Sequence, residues 1–280
     1  MSTVYDTRAC RLGEGPLWHP QRAQLFWFDI LGNRLLTRGD DGPHEWTFSE
    51  HVSAAGWMSQ EVLFMASETE LFTFDLATGV RESVLPLEAD NPVTRSNDGR
   101  ADPMGGFWIG TMGKKEEKGA GAIYRYYKGE LRQLYSGITV SNSICFAPGG
   151  RAAYWADTPT HQIMRTPLDA EGWPSGAPEV FVDLSAEGLY PDGSVVDSEG
   201  ALWNAQWGAG RVVRYLSDGT PDRVIEVGGE KSTCPAFGGE GLTTLYVTTA
   251  CGGMKKDGKQ GVTYEAPAGV AGMPEPQVIL

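Results

Sequence analysis

The chain is poor in the features that mark membrane, nucleic-acid and disulfide-built proteins. No apolar run approaches the roughly 18 residues of a spanning helix, so no membrane association is expected. The opening MSTVYDTRAC has no basic stretch followed by an apolar one and does not read as a signal peptide, which points to a cytoplasmic protein. Positive charge is scarce: 23 lysines and arginines face 36 aspartates and glutamates, a net charge of −13. That balance argues against a nucleic-acid partner. It leaves room for a small neutral or weakly anionic substrate, because a bound cation can reverse the local field. The four cysteines, Cys10, Cys145, Cys234 and Cys251, lack CxxC spacing. They read most simply as free thiols in a reducing cytosol, with two disulfides as the alternative. Four histidines, His19, His44, His51 and His161, form no spaced pair and sit in turn-like contexts. Also missing are the GxSxG elbow of serine hydrolases, a GxxxxGK phosphate loop and a dinucleotide fingerprint.

What the chain does have is glycine, proline and a repeat. Glycine (37) and proline (17) punctuate it into short segments, and no stretch of a dozen residues keeps a helical period. Six turn-to-strand units recur: HPQRAQLFWFD, MSQEVLFMAS, DPMGGFWIGT, APGGRAAYWAD, DSEGALWNAQ and GGEGLTTLYVT. Their centres are Phe26, Phe64, Trp108, Tyr154, Leu202 and Tyr246, roughly 38–48 residues apart, the period of four-stranded propeller blades. A two-layer sandwich would not explain six such units. The expected fold is therefore all-β, a six-bladed β-propeller formed by residues 1–280 as one domain. Residues 4–11 are expected to close the last blade, which otherwise ends raggedly near Pro274.

The repeat also has a polar phase. About 11 residues before five of the centres stand Glu14, Asn97, Asn142, Asp192 and Cys234. Equivalent positions in a closed ring converge on its axis, so the first four are expected to meet at one polar site. Alternation places Arg95 on the same side as Asn97 and turns Asp98 away, in a structural role. Cys145 reads as core and Cys234 as channel lining. Trp18, Trp108, Trp155 and Trp203 read as core, and the role of Trp207 is open. Residues 113–121 and 253–260 read as charged surface loops beside the mouth of a site.

The segments LGEGPLWHP (12–20), TRSNDGRADPMGGFWIGTM (94–112), VSNSICFAPGG (140–150), YWADTPTHQIMR (154–165) and YPDGSVVDSEGALW (190–203) carry a family resemblance. Together they resemble the SMP-30/gluconolactonase/luciferin-regenerating-enzyme-like group. The resemblance implies a six-bladed propeller with one divalent cation in its central channel. It places metal ligands at Glu14, Asn142 and Asp192 and substrate contacts at Arg95 and Asn97. Two carboxylates and an amide oxygen suit calcium, magnesium or manganese, with zinc and ferrous iron as further options. The implied activity is metal-dependent hydrolysis of a sugar-acid lactone, such as an arabinono-, xylono-, galactono- or gluconolactone, to the aldonic acid. Asp192 is the implied general base. TRSNDG followed by GTMGKK is most similar to lactonases acting on pentonolactones. Two departures stand out: Ser143 replaces the glycine of the usual SNG, and Lys114 and Lys115 occupy a loop in which some relatives carry an acidic substrate contact. Alternatives on the same scaffold are a phosphotriester-type hydrolase and a non-catalytic, metal-stabilised binding propeller. The protein is expected to act as a monomer or weak oligomer.

Overall fold

The structure is a computed structural model that describes residues 2–253 and 258–280. Six four-stranded antiparallel sheets form a six-bladed β-propeller. In each blade the first strand lies against the first strands of its two neighbours, so these six strands ring the axis. They are Gly13–His19, Val52–Trp57, Thr94–Ala101, Ser141–Phe146, Tyr190–Val196 and Ser232–Gly238. Blades 1–6 take their numbers from this order. The outermost strands, such as Gly42–Thr47 and Pro221–Glu226, are short and mostly exposed, as suits strand edges that must not pair with another chain.

The aromatic centres of the repeat are core residues. Trp108, itself a centre, and Trp203, beside the centre Leu202, are fully buried, as is Trp27. Each packs between neighbouring sheets, where burial of a large apolar side chain contributes on the order of 1.5–3 kcal/mol. Trp155 is also buried, whereas Trp18 is half-buried and stacks on Tyr246 at 5.7 Å. Two of the repeated turns share one device. Asp102 accepts from the amides of Met104 and Gly106 and pairs with Arg125 Nε at 2.7 Å. Asp197 likewise accepts from Glu199 and Ala201 and pairs with Arg214 Nε at 2.8 Å. Thus the DPMGG and DSEGA turns are tied to the third strands of blades 3 and 5.

Ring closure follows the expectation with a shorter strand than residues 4–11. Thr3–Asp6 alone pairs with Thr263–Pro267 and completes blade 6. Beyond it, Arg8 turns back onto Asp6, and the Cys10 amide bonds Gly261 O at 2.8 Å. The end near Pro274 is not ragged. The segment after blade 6 crosses the face at which the ring strands end. Gly272 bridges to Asp197 of blade 5. Glu275 pairs with Arg100 of blade 3, and its carbonyl accepts from Trp57 Nε1 of blade 2 at 2.8 Å. The Val278 amide bonds Trp57 O, and its side chain is buried against blades 2 and 3.

One irregularity recurs at the other end of the ring strands. All six break register at their start: at Glu14/Leu17, Val52/Ala54, Ser96/Gly99, Asn142/Cys145, Pro191/Ser194 and Ser232/Pro235. A bulge frees consecutive residues from the ladder and re-aims their side chains. Here it lets each strand serve both the axis and the next blade. Ser53 Oγ donates to Ser96 Oγ, Asp98 Oδ2 accepts from Ile144 N, Ser143 Oγ donates to Asp192 O, and Thr233 Oγ1 donates to Gly13 O. The blades approach so closely that a Cβ on Gly193 would lie 2.3 Å from Cys234 Sγ. Cys234 is therefore packed between blades and does not line the cavity as expected. Cys145 is core, and Cys10, Cys145 and Cys234 are buried free thiols, which overturns the two-disulfide alternative.

Candidate active site

At the bulged end of the ring a cavity of about 510 Å³ opens, within the range of small-molecule sites. Glu14, Arg95, Asn97, Asn142 and Asp192 all line it, so four different blades deliver the residues that the repeat phase singles out. Each is nearly inaccessible to solvent.

The carboxyl groups of Glu14 and Asp192 both face the cavity at the axis, close enough to act on each other electrostatically. Burial pushes both above the ordinary carboxylate range, and the nearby Asp98 raises both further. Two acids held this close in a dry site retain a proton unless a cation replaces it. Asp98 itself faces the next blade, bonding the Ile144 amide at 2.7 Å, which is the structural role that alternation assigns it.

The amide side chains are oriented by a chain of bonds fixed at both ends. Thr158 Oγ1 donates to Pro191 O at 2.8 Å, so it meets Asn142 as an acceptor, and Asn142 must present Nδ2 to it at 2.9 Å. Asn142 Oδ1 then faces the axis and receives Asn97 Nδ2 at 3.2 Å. Asn97 Nδ2 also donates to Ser141 O at 2.8 Å, and its Oδ1 accepts from Arg95 at 2.7 Å. Arg95 can only donate and a carbonyl can only accept, so neither amide can flip. Arg95 forms no ion pair among the described residues. Burial lowers it to about 10, while Glu14, Glu116 and Glu68 act in the opposite direction.

Among the described residues no three His, Cys, Asp or Glu side chains cluster to hold a metal. The donors at the axis are instead two carboxylates and a locked amide oxygen. An all-oxygen set with two desolvated acids and no cationic contact fits a hard divalent ion. Residues absent from the repeat phase complete the cavity: Arg11, Thr158, Glu116, Tyr190 and Trp207. Trp207 and Tyr190 are cross-strand partners in blade 5 and form an aromatic wall. The loop after Gly113 does reach the mouth, but not through both lysines. Lys114 is held by Glu68 at 3.0 Å, Lys115 lies outside the lining, and Glu116 supplies an acidic group there. Of the second expected loop, Gly252 just before it reaches the cavity, and residues 254–257 lie outside the described residues. None of the four histidines lines the cavity.

A family model described as the SMP-30/gluconolactonase/LRE-like region matches residues 12–251. The chain belongs to this family. It is similar to a pentonolactonase of Haloferax volcanii, 34% identical over 274 residues, covering 97% of this chain and 92% of that protein. An L-arabinolactonase of Azospirillum brasilense is 35% identical over 260 residues, covering 90% and 85%. Among solved structures, a calcium-binding regucalcin of Agrobacterium tumefaciens superposes with a TM-score of 0.96 at 40% identity, covering 100% of this chain and 98% of that one. Strong similarity to lactonases supports a sugar-lactone hydrolase activity in general.

Proposed function

We propose that the chain hydrolyses an aldonolactone, preferentially a pentonolactone, to the aldonic acid, with a divalent cation held by Glu14, Asn142 and Asp192. The observation that carries this reading is the juxtaposition, in one cavity, of two buried carboxyl groups with an amide oxygen that its neighbours lock toward the axis. Calcium, magnesium, manganese, zinc or ferrous iron fits that donor set. Bound there, such an ion supplies Lewis acidity to the lactone carbonyl.

The chain's own residues supply the rest. Asp192, raised by burial and by Glu14, takes the proton of the attacking water. Arg95 keeps Nε and one terminal nitrogen for ligand, because its bonds to Ser96 O and Asn97 Oδ1 use the other terminal nitrogen. It and Asn97 grip hydroxyl or carbonyl oxygens directionally. Glu116 accepts from a hydroxyl at the mouth, and Tyr190 with Trp207 offers a flat face to the ring. A cytoplasmic setting accords with the buried thiols.

The test is turnover of arabinonolactone, xylonolactone, gluconolactone and a phosphotriester by purified protein, with metal stripped and restored. Lactone hydrolysis that is lost on stripping and returns on addition of metal is expected. Phosphotriester turnover alone would transfer the site to the rival chemistry. Inertness toward every compound by folded, metal-loaded protein would leave a binding propeller.

A further inference from the structure

The backbone at Ser143 is left-handed, with φ 60°, and its side chain is completely buried. Glycine adopts that conformation freely and serine does so at a cost. The hydroxyl is therefore the feature to explain. Its oxygen lies 3.0 Å from Ser194 Oγ and 3.2 Å from Asn204 Nδ2, both of which donate to it. Its own proton is directed across the gap between blades 4 and 5 to Asp192 O, at 2.5 Å. Asn204 Nδ2 reaches the same carbonyl at 3.1 Å. Asp192 lies within the bulge between Pro191 and Ser194, where the ladder with the second strand of its blade is interrupted. The usual fixation of a strand residue is missing at the point where the candidate site needs it most.

We propose that Ser143 is a positioning residue for Asp192. Its hydroxyl replaces the missing ladder bond and fixes the peptide after Asp192, and this aims the carboxyl group across the axis toward Glu14. Asn204 is the auxiliary donor, and Ser194 and Asn204 together orient the serine proton. Glycine at 143 would supply the conformation without the donor. The proposal rests on Asp192 acting in the site described above.

Two variants separate positioning from folding. Ser143→Gly removes the hydroxyl and relieves the backbone, whereas Ser143→Ala removes the hydroxyl and keeps the left-handed residue. Thermal midpoint, Mn²⁺ affinity by calorimetry, and kcat and KM for arabinonolactone at saturating Mn²⁺ are measured for both. Both are expected to lose roughly 10–100-fold in Mn²⁺ affinity or kcat, as when a group supporting a metal ligand is removed. KM should change much less, and Ser143→Gly should keep the wild-type midpoint. A purely structural role would spare Ser143→Gly and weaken only Ser143→Ala. Wild-type Mn²⁺ affinity and kcat in Ser143→Gly would overturn the proposal. A crystal structure of Ser143→Gly tests it independently of activity. A displaced or disordered peptide at 192–193 is expected, and an unmoved one refutes the inference even if wild type proves inert toward lactones. Inertness of wild type alone refutes the lactonase reading and leaves the structural comparison to decide on Ser143.

Discussion

Thr158→Val tests whether orientation of the Asn142 amide is built into the protein. Valine matches threonine in shape and deletes only the hydroxyl. That hydroxyl makes two bonds, accepting from Asn142 Nδ2 at 2.9 Å and donating to Pro191 O at 2.8 Å. Both partners then lose a mate. An unsatisfied buried polar group costs about 1–3 kcal/mol, and a net hydrogen bond contributes about 0.5–1.5 kcal/mol. Thr158 is half-buried at the cavity wall, so water can serve one of the two orphans. The remaining loss is about 1–2 kcal/mol. It falls mainly on metal affinity, because a freed Asn142 can turn its nitrogen to the axis. The expected effect is a roughly 5- to 30-fold weaker Mn²⁺ constant by titration calorimetry. Thr158→Ser, which keeps the hydroxyl, should restore most of it. Wild-type Mn²⁺ affinity in a folded Thr158→Val protein would show that the amide needs no lock, and the orientation argument would fail.

Three further outcomes are expected. Metal-loaded Asp192→Asn should lose about 10²–10⁴-fold in lactone turnover after subtraction of the spontaneous rate, with a smaller loss of metal occupancy; unchanged catalytic efficiency would remove Asp192 from the mechanism. In metal-stripped protein Glu14 and Asp192 bind protons more tightly folded than unfolded, so the folded state carries the extra protons and stability falls as pH rises above the ordinary carboxylate range. Saturating Mn²⁺ should remove most of that decline, and melting curves from acid to neutral pH with and without chelator would show a gap that widens with pH. Arg125→Met should destabilise by about 3–5 kcal/mol, because it strands the fully buried Asp102 carboxylate, yet leave the Mn²⁺ constant of folded protein unchanged; a denaturation midpoint close to wild type would refute the burial argument.

The architecture was legible because a propeller writes its period into the sequence: each blade needs a large apolar centre at one place and a turn before it. Glu14, Asn97, Asn142 and Asp192 could be gathered for the same reason, since equivalent positions in a ring share an axis. The bulges that aim them were not legible, because a two-for-one register break leaves no compositional mark in strands as different as GEGPLWH and YPDGSVV. Cys234 has the right phase and the wrong place, since close approach of blades 5 and 6 packs it against Gly193. Glu116 and Thr158 escaped notice because they stand on loops and turns between strands, outside the repeat. Tyr190 and Trp207 face the cavity through strand ends whose direction only the fold reveals. A cue for Thr158 did exist: a hydroxyl residue follows Asp157 directly after the fourth aromatic strand, but that pattern is common in turns.

The segment that crosses the far face lines a hollow of its own. Residues 272–278 span from blade 5 to blades 2 and 3, and no residue that lines the cavity at the bulged end also lines the separate hollow of about 380 Å³ beneath Met273 and Pro274. The opening at the bulged end serves ligand entry and exit alike. A lactone arrives neutral, but its hydrolysis product departs as an anion past Arg11 and Arg95, the same cations that lie along the way in. Each departing acid must clear the mouth before the next ring can settle. The product carboxylate is drawn to those cations, an attraction that salt screens at the mouth.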